Sequence, residues 1–119
     1  GAAVGLKAFR QGLRITFSEP LDPDWANDVE SFGIEQWNYR YAKEYGSDDY
    51  SVAQPDQKGR DTVLIERARL EADGRSVFLE ISTFQPVMQM EIRYHLRSQT
   101  GARVRGAIYN TIHALREGP

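Results

Sequence analysis

Hydrophobic residues recur at every second position over most of this chain. Leu13, Ile15 and Phe17 alternate with Arg14, Thr16 and Ser18. Met88, Met90, Ile92, Tyr94 and Leu96 alternate with Gln89, Glu91, Arg93, His95 and Arg97. Successive side chains of a strand point to opposite sides, so this period belongs to strands with one face on a core and the other toward water. Helical character is confined to Pro23–Val29, enough for one turn. Asp22 is placed to cap it, with Pro23 at the first helical position.

Turn residues divide the chain into short runs. Leu6–Arg10 reads as a strand, and Gln11-Gly12 as the turn into the next. Pro20 and Pro23 end the pairing, because proline has no N–H to give to a ladder. Phe32, Ile34 and Gln36 start another strand, and Trp37, Tyr39 and Tyr41 continue it in the opposite phase. Either a β-bulge near Glu35–Trp37 or a strand buried on both faces accounts for the slip. Residues 42–60 are polar and form a loop, long for a compact domain and of a length usually functional or disordered. Tyr45, Tyr50 and Val52 imply that it packs on something. Val63, Ile65 and, after a slip, Ala68 and Leu70 read as one strand. Ala72–Arg75 is its turn, with Asp73-Gly74 supplying positive-φ positions, and Val77, Leu79 and Ile81 are its hairpin partner. Gln85-Pro86 breaks the pairing, Thr100-Gly101 turns the chain, and the last strand runs from Val104 toward Leu115. The pattern predicts an all-β fold: an antiparallel β-sandwich of about seven strands with one short helical turn and a long loop. It forms a single domain over residues 1–119, with 1–4 and 116–119 as flexible ends.

Composition narrows the function classes. The chain has 119 residues and no cysteine, which removes disulfides, zinc–thiolate sites and cysteine nucleophiles. The opening Gly1-Ala2-Ala3 reads as an internal boundary, so the sequence is expected to be a piece of a larger protein. Formal net charge is −2 with both signs interspersed, so a nucleic-acid partner is not expected. Arg67 with Arg69 and Arg103 with Arg105 share strand faces, and the alternating hydrophobics make those faces the exposed side of a half-buried sheet. No apolar run reaches the roughly 18–20 residues of a membrane-spanning helix, so no membrane insertion is expected.

Catalytic and metal chemistry find little support. The histidines are His95, read as pointing outward from a strand, and His113 near the end; no G-x-S-x-G elbow accompanies them. Glu66 and Glu80 face each other across a hairpin, where surface carboxylates opposite arginines are the commoner arrangement. Asp48, Asp49, Asp56 and Asp61 are hard oxygen donors suited to calcium, but the EF-hand order is missing and the segment reads as a solvated acidic loop. No enzyme activity, cofactor or metal site is expected. The concentration of aromatics is the most distinctive feature: Trp37, Tyr39, Tyr41, Tyr45 and Tyr50, interleaved with Asn38, Arg40, Asp48 and Asp49. Such rings pack in a core, dock a neighbouring domain or protein, or stack on a sugar. Arg60 and Asp61 are placed to pin the return of the loop by ion pairing. The candidate binding surface is therefore Trp37, Tyr39, Arg40, Tyr41, Tyr45, Tyr50, Arg60 and Asp61.

The phrase Thr16-Phe17-Ser18-Glu19-Pro20-Leu21-Asp22-Pro23 resembles the end of the second strand in bacterial Ig-like domains of the surface-layer-protein type. Phe32 and Ile34 are similar to the start of that family's next strand, Ala72-Asp73-Gly74-Arg75-Ser76-Val77 to its D-G-x-x-V hairpin, Met90–Leu96 to its x-Y-x-L strand, and Thr100-Gly101 to its final turn. Residues 6–112 carry these matches, apart from the long insertion at 42–60. Trp37-Asn38-Tyr39-Arg40, Tyr45-Gly46-Ser47, Tyr50-Ser51-Val52, Gly59-Arg60-Asp61, Pro86–Met90 and Ile108–His113 resemble a subset of these modules found in large exported bacterial proteins beside c-type haem domains and sugar-dehydrogenase-like propellers. The resemblance implies a secreted bacterial accessory domain, periplasmic or extracellular, acting as spacer and docking surface. Its implied partners are neighbouring domains of the same polypeptide, haem or propeller domains among them. A carbohydrate-binding module using the same aromatics is the alternative, with a glycan as partner.

Overall fold

A computed structural model describes residues 2–39 and 48–118. In chain order the elements are β1 (Ala3–Phe9), β2 (Gly12–Phe17), α1 (Pro23–Ala26), β3 (Phe32–Tyr39), β4 (Asp49–Tyr50), β5 (Asp61–Thr62), β6 (Arg67–Leu70), β7 (Ser76–Glu80), β8 (Val87–Arg97) and β9 (Arg103–Ile112), with a 3-10 turn at Val29–Ser31 before β3. One sheet has the order β1-β2-β7-β6. The other has the order β4-β3-β8-β9, and β5 adds to β3. All these pairings are antiparallel. The molecule is an all-β sandwich, as the alternation predicts, and β4 and β5 are two-residue additions to the longer strands.

The alternating hydrophobics meet between the sheets. Leu13, Ile15, Phe17, Val77 and Leu79 come from the first sheet, and Ile34, Met90, Ile92, Leu96 and Val104 from the second, and all are buried. Each such side chain contributes roughly 1.5–3 kcal/mol through the area it removes from water. Phe17 and Tyr94 bridge the two layers edge to face, with ring centroids 5.0 Å apart. Gly106 lies opposite Tyr94 in β9, and a Cβ there would come within 2.6 Å of the Tyr94 hydroxyl oxygen. Gly12 opens β2 at φ +149°, where a Cβ would sit 1.8 Å from the Leu79 carbonyl oxygen. Only glycine lets β2 and β7 approach so closely at that corner. Asp22 caps α1 by accepting from the Asp24 N–H at 2.9 Å, with Pro23 in the first turn, as the sequence predicts.

Several local expectations change. Val63–Leu70 is not one strand with a phase slip. β5 pairs with β3 in the second sheet, β6 pairs with β7 in the first, and residues 63–66 carry the chain across. Val63 and Ala68 are both in the core, so the slip in hydrophobic phase is the change of sheet. In the β6–β7 turn only Gly74 takes positive φ. Asp73 holds the turn through its side chain, accepting from the N–H groups of Arg75 and Ser76 at 2.9 and 2.8 Å. β9 ends at Ile112 rather than continuing to Leu115. Near the ends, Ala2 accepts from the Ser18 N–H, and Arg116 exchanges backbone bonds with Ala8 and Arg10. The segment read as unbroken loop contains β4, and its residues 40–47 lie outside the described residues.

Candidate functional site

β3 keeps continuous register with β8 from Phe32↔Tyr94 to Trp37↔Gln89, so there is no bulge at Glu35–Trp37. Phe32 and Ile34 therefore face the core, while Glu35, Trp37 and Tyr39 face outward. Trp37 is nevertheless only 2% exposed. The second alternative holds: this part of β3 is covered on both faces, and the outer cover is residues 48–62.

That cover is built from short-range bonds. The N–H of Gly59 donates to the Asp49 carbonyl and that of Ser51 to the Gln57 carbonyl, both at 2.8 Å, so the segment folds back on itself. Asp61 then ties it to the edge of β3. One carboxylate oxygen accepts from the Ser51 hydroxyl at 2.6 Å, and the other from the N–H groups of Val52 and Ala53 at 2.7 and 3.1 Å. Burial acts to raise this carboxyl, but the bonds from Ser51, Ala53, Val52 and the Gln36 side chain outweigh it, and the net shift is downward.

Arg60 forms the centre of the roof. Its guanidinium carbon lies 3.6 Å from the centre of the Trp37 ring, a stacked cation–π contact. Its Nε donates to Asp49 at 2.8 Å and its Nη1 to Glu91 at 3.2 Å, with Glu35 at 3.6 Å. Glu91 is a buried carboxylate on the outward face of β8. It also accepts from Arg93 Nε at 3.0 Å and from the Tyr109 hydroxyl at 2.8 Å. The Arg93 bond, aided by Tyr109 and the nearby guanidinium of Arg60, holds the Glu91 carboxyl below its ordinary value against the opposing effect of burial. Tyr109's own hydrogen bond to Glu91 raises its hydroxyl above the ordinary value. The indole Nε1 of Trp37 is buried with no hydrogen-bond partner.

The expected surface residues are thus sorted by the fold. Trp37 is a covered ring with no free face for a sugar. Tyr39 is half-buried on the same face of β3, and Tyr50, paired with Asn38 in β4, is half-buried on the opposite face. Arg60 is the lid over Trp37 and ion-pairs with Asp49, while Asp61 anchors through hydroxyl and backbone donors among the described residues. Arg40, Tyr41 and Tyr45 lie outside the described residues. Sequence reasoning missed Glu35, Glu91, Arg93 and Tyr109. Their polar side chains were visible on alternating positions, but only the β3–β8–β9 register brings them together.

The acidic residues weighed for calcium are engaged elsewhere: Asp49 with Arg60, Asp48 with Lys58 at 3.0 Å, and Asp61 as above. Among the described residues, no three His, Asp or Glu converge into a metal-holding group. Glu80 faces Arg67 and Arg69 at 3.9 and 3.7 Å. No helix among the described residues is long and apolar enough to cross a membrane. Comparison with protein-family models, with curated proteins and with solved structures gives no match for this chain.

Proposed function

We propose that this chain is a non-catalytic, Ig-like accessory module of a larger exported bacterial protein, a spacer that docks a neighbouring domain through its 37–61 segment. The observation that carries the reading is the strand order of the sandwich, which supports its Ig-like part. β1-β2-β7-β6 against β3-β8-β9 is the order ABED against CFG of a seven-stranded Ig sandwich, with β4 in the position of an added edge strand.

Docking through 37–61 is supported by Tyr39 and Tyr50, half-buried on the two faces of the sheet edge. Partly exposed tyrosines at a sheet edge have the composition of an interface rim. The test is site-specific photocrosslinking in the full parent polypeptide, with a benzophenone side chain replacing Tyr39 or Tyr50. Crosslinks from either position to another domain of that polypeptide are expected. Crosslinks confined to this module at both positions would refute docking through this edge.

A further inference from the structure

We propose that the outward face of β8 and β9, at the end nearest α1, binds an acidic glycan, a polysaccharide carrying carboxylate or sulfate groups. This face is distinct from the docking edge and does not depend on that reading. The register sets Arg97 opposite Arg103 and His95 opposite Arg105, with Arg93 next along β8. Like charges directly opposite one another on a sheet face cost stability, as at Arg97 and Arg103. Lys7–Arg14 and Glu35–Glu91 are set opposite in the same way, but Glu71 and Arg60 lie beside them as counter-charges. Arg103 and Arg105 make no ion pair among the described residues.

Two of the other side chains are held in place. The Arg97 guanidinium lies 5.4 Å from the Trp25 ring centre and donates to the Gly101 carbonyl at 3.1 Å. The His95 ring is also 5.4 Å from Trp25. Held donors lose less freedom on binding than free ones. Beside His95 lies an open trough of about 500 Å³, lined by Glu30, Gly33, Arg93, His95, Arg105 and Ala107 among others, with Arg97 and Arg103 next along the strands outside it. Its floor is low because Gly33 and Ala107 carry little side chain, and the space above Gly33 is empty.

Guanidinium forks match the paired oxygens of carboxylate and sulfate. Same-face side chains stand about 6.6–6.8 Å apart along a strand and about 4.8 Å apart across strands, so the cations form a flat grid that a polymer can lie on. Glu30 on the rim of this trough is an acceptor for sugar hydroxyls, donors that a glycan carries on its rings and a DNA phosphodiester backbone lacks. Tyr109, 60% exposed and on the same face two residues beyond Ala107, offers a ring to the C–H surface of a sugar.

The test is affinity electrophoresis of the intact chain through gels containing polygalacturonate, dextran sulfate or neutral dextran, with competition by an oligothymidylate. Retardation by at least one of the two acidic polymers and not by neutral dextran is expected, and which one retards it reports carboxylate or sulfate. Raising salt should weaken it, because exposed charges are screened. Arg103→Ala with Arg105→Ala should weaken binding by roughly tenfold or more per guanidinium removed, with an unchanged or higher melting temperature. Retardation by neither acidic polymer, full binding by the double variant, or oligothymidylate competing as well as the glycan itself would overturn the proposal.

Discussion

Replacing Arg60 by alanine should uncover Trp37, and the structure sets the size of the effect. The guanidinium stacks on the indole at 3.6 Å, and with the Arg60 side chain 35% exposed such a contact is worth about 1–2 kcal/mol. The pair with Asp49 is similarly open to solvent and adds at most about 1 kcal/mol after screening. Glu91 is not orphaned by the change, because Arg93 and Tyr109 still donate to it. Water reaching the unpaired Trp37 Nε1 returns part of the loss. The net is about 2 kcal/mol, which lowers Tm by about 8 °C for a domain of this size. Intrinsic fluorescence reads the opening directly. With Trp25→Phe as background, Arg60→Ala should shift emission to the red and increase quenching by acrylamide, and Arg60→Met should do so less because its flat apolar stem still covers the ring. A double-mutant cycle with Trp37→Phe should give a coupling of about 1 kcal/mol. Unchanged quenching together with a Tm within about 2 °C of the parent would show that Arg60 does not hold the roof.

Acid should open the same cover. Asp61 and Glu91 both titrate below their ordinary values of 3.8 and 4.5, so their contribution is complete above about pH 4.5 and is lost as pH falls through the lowered values. A fluorescence titration should show Trp37 exposed only on that acid limb, with a shallower limb in Asp61→Asn; opening between pH 6 and 8 would contradict this assignment. Gly12→Ala should cost more than about 3 kcal/mol in chemical denaturation, since it meets both an unfavourable φ and the Leu79 carbonyl. A loss below about 1 kcal/mol, the usual glycine-to-alanine range, would mean that β2 and β7 can separate there freely.

The alternation alone located the long strands, because a half-buried sheet requires that pattern. Gly12, Asp22 and Pro23 were legible for the same kind of reason: a turn and a cap depend on neighbouring residues. Two phase slips looked alike in sequence and had different causes. At Trp37 the strand is straight and its outer face is roofed. At Val63–Ala68 the chain changes sheets and the core is approached from both sides. Nothing local distinguishes these, since each depends on what packs from a distant part of the chain. The Glu91 cluster was hidden for that reason too: Glu35, Arg60, Glu91 and Tyr109 meet only once β3, β8 and β9 are aligned. β4 is too short to leave a periodic signal.

The arginines show how such a chain keeps aromatic rings on the outside of its sheets. Phe78 and Phe9 face outward from the first sheet with centroids 6.0 Å apart, and both are buried. Arg14 lies 5.0 Å from the Phe9 ring centre and Arg69 lies 5.8 Å from that of Phe78. Arg14 is held by Glu71 through bonds of 2.6 and 3.1 Å, and Arg69 faces Glu80. Trp37, Arg60 and Asp49 repeat the arrangement on the second sheet. In each case a ring is covered by a planar cation, and a carboxylate fixes the cation's position. A lysine ammonium cannot lie flat over a ring while bonding an acid in the same plane, so arginine is the residue this device needs. Among the described residues, Arg103 and Arg105 have neither a ring beneath them nor an ion-paired acid. Roofing does not explain those two, and Arg103 stands directly opposite Arg97 without the paired counter-charge that Glu71 supplies at Lys7–Arg14 and Arg60 supplies at Glu35–Glu91. The same reasoning that makes the other guanidiniums structural leaves this pair facing outward, available to an anionic partner.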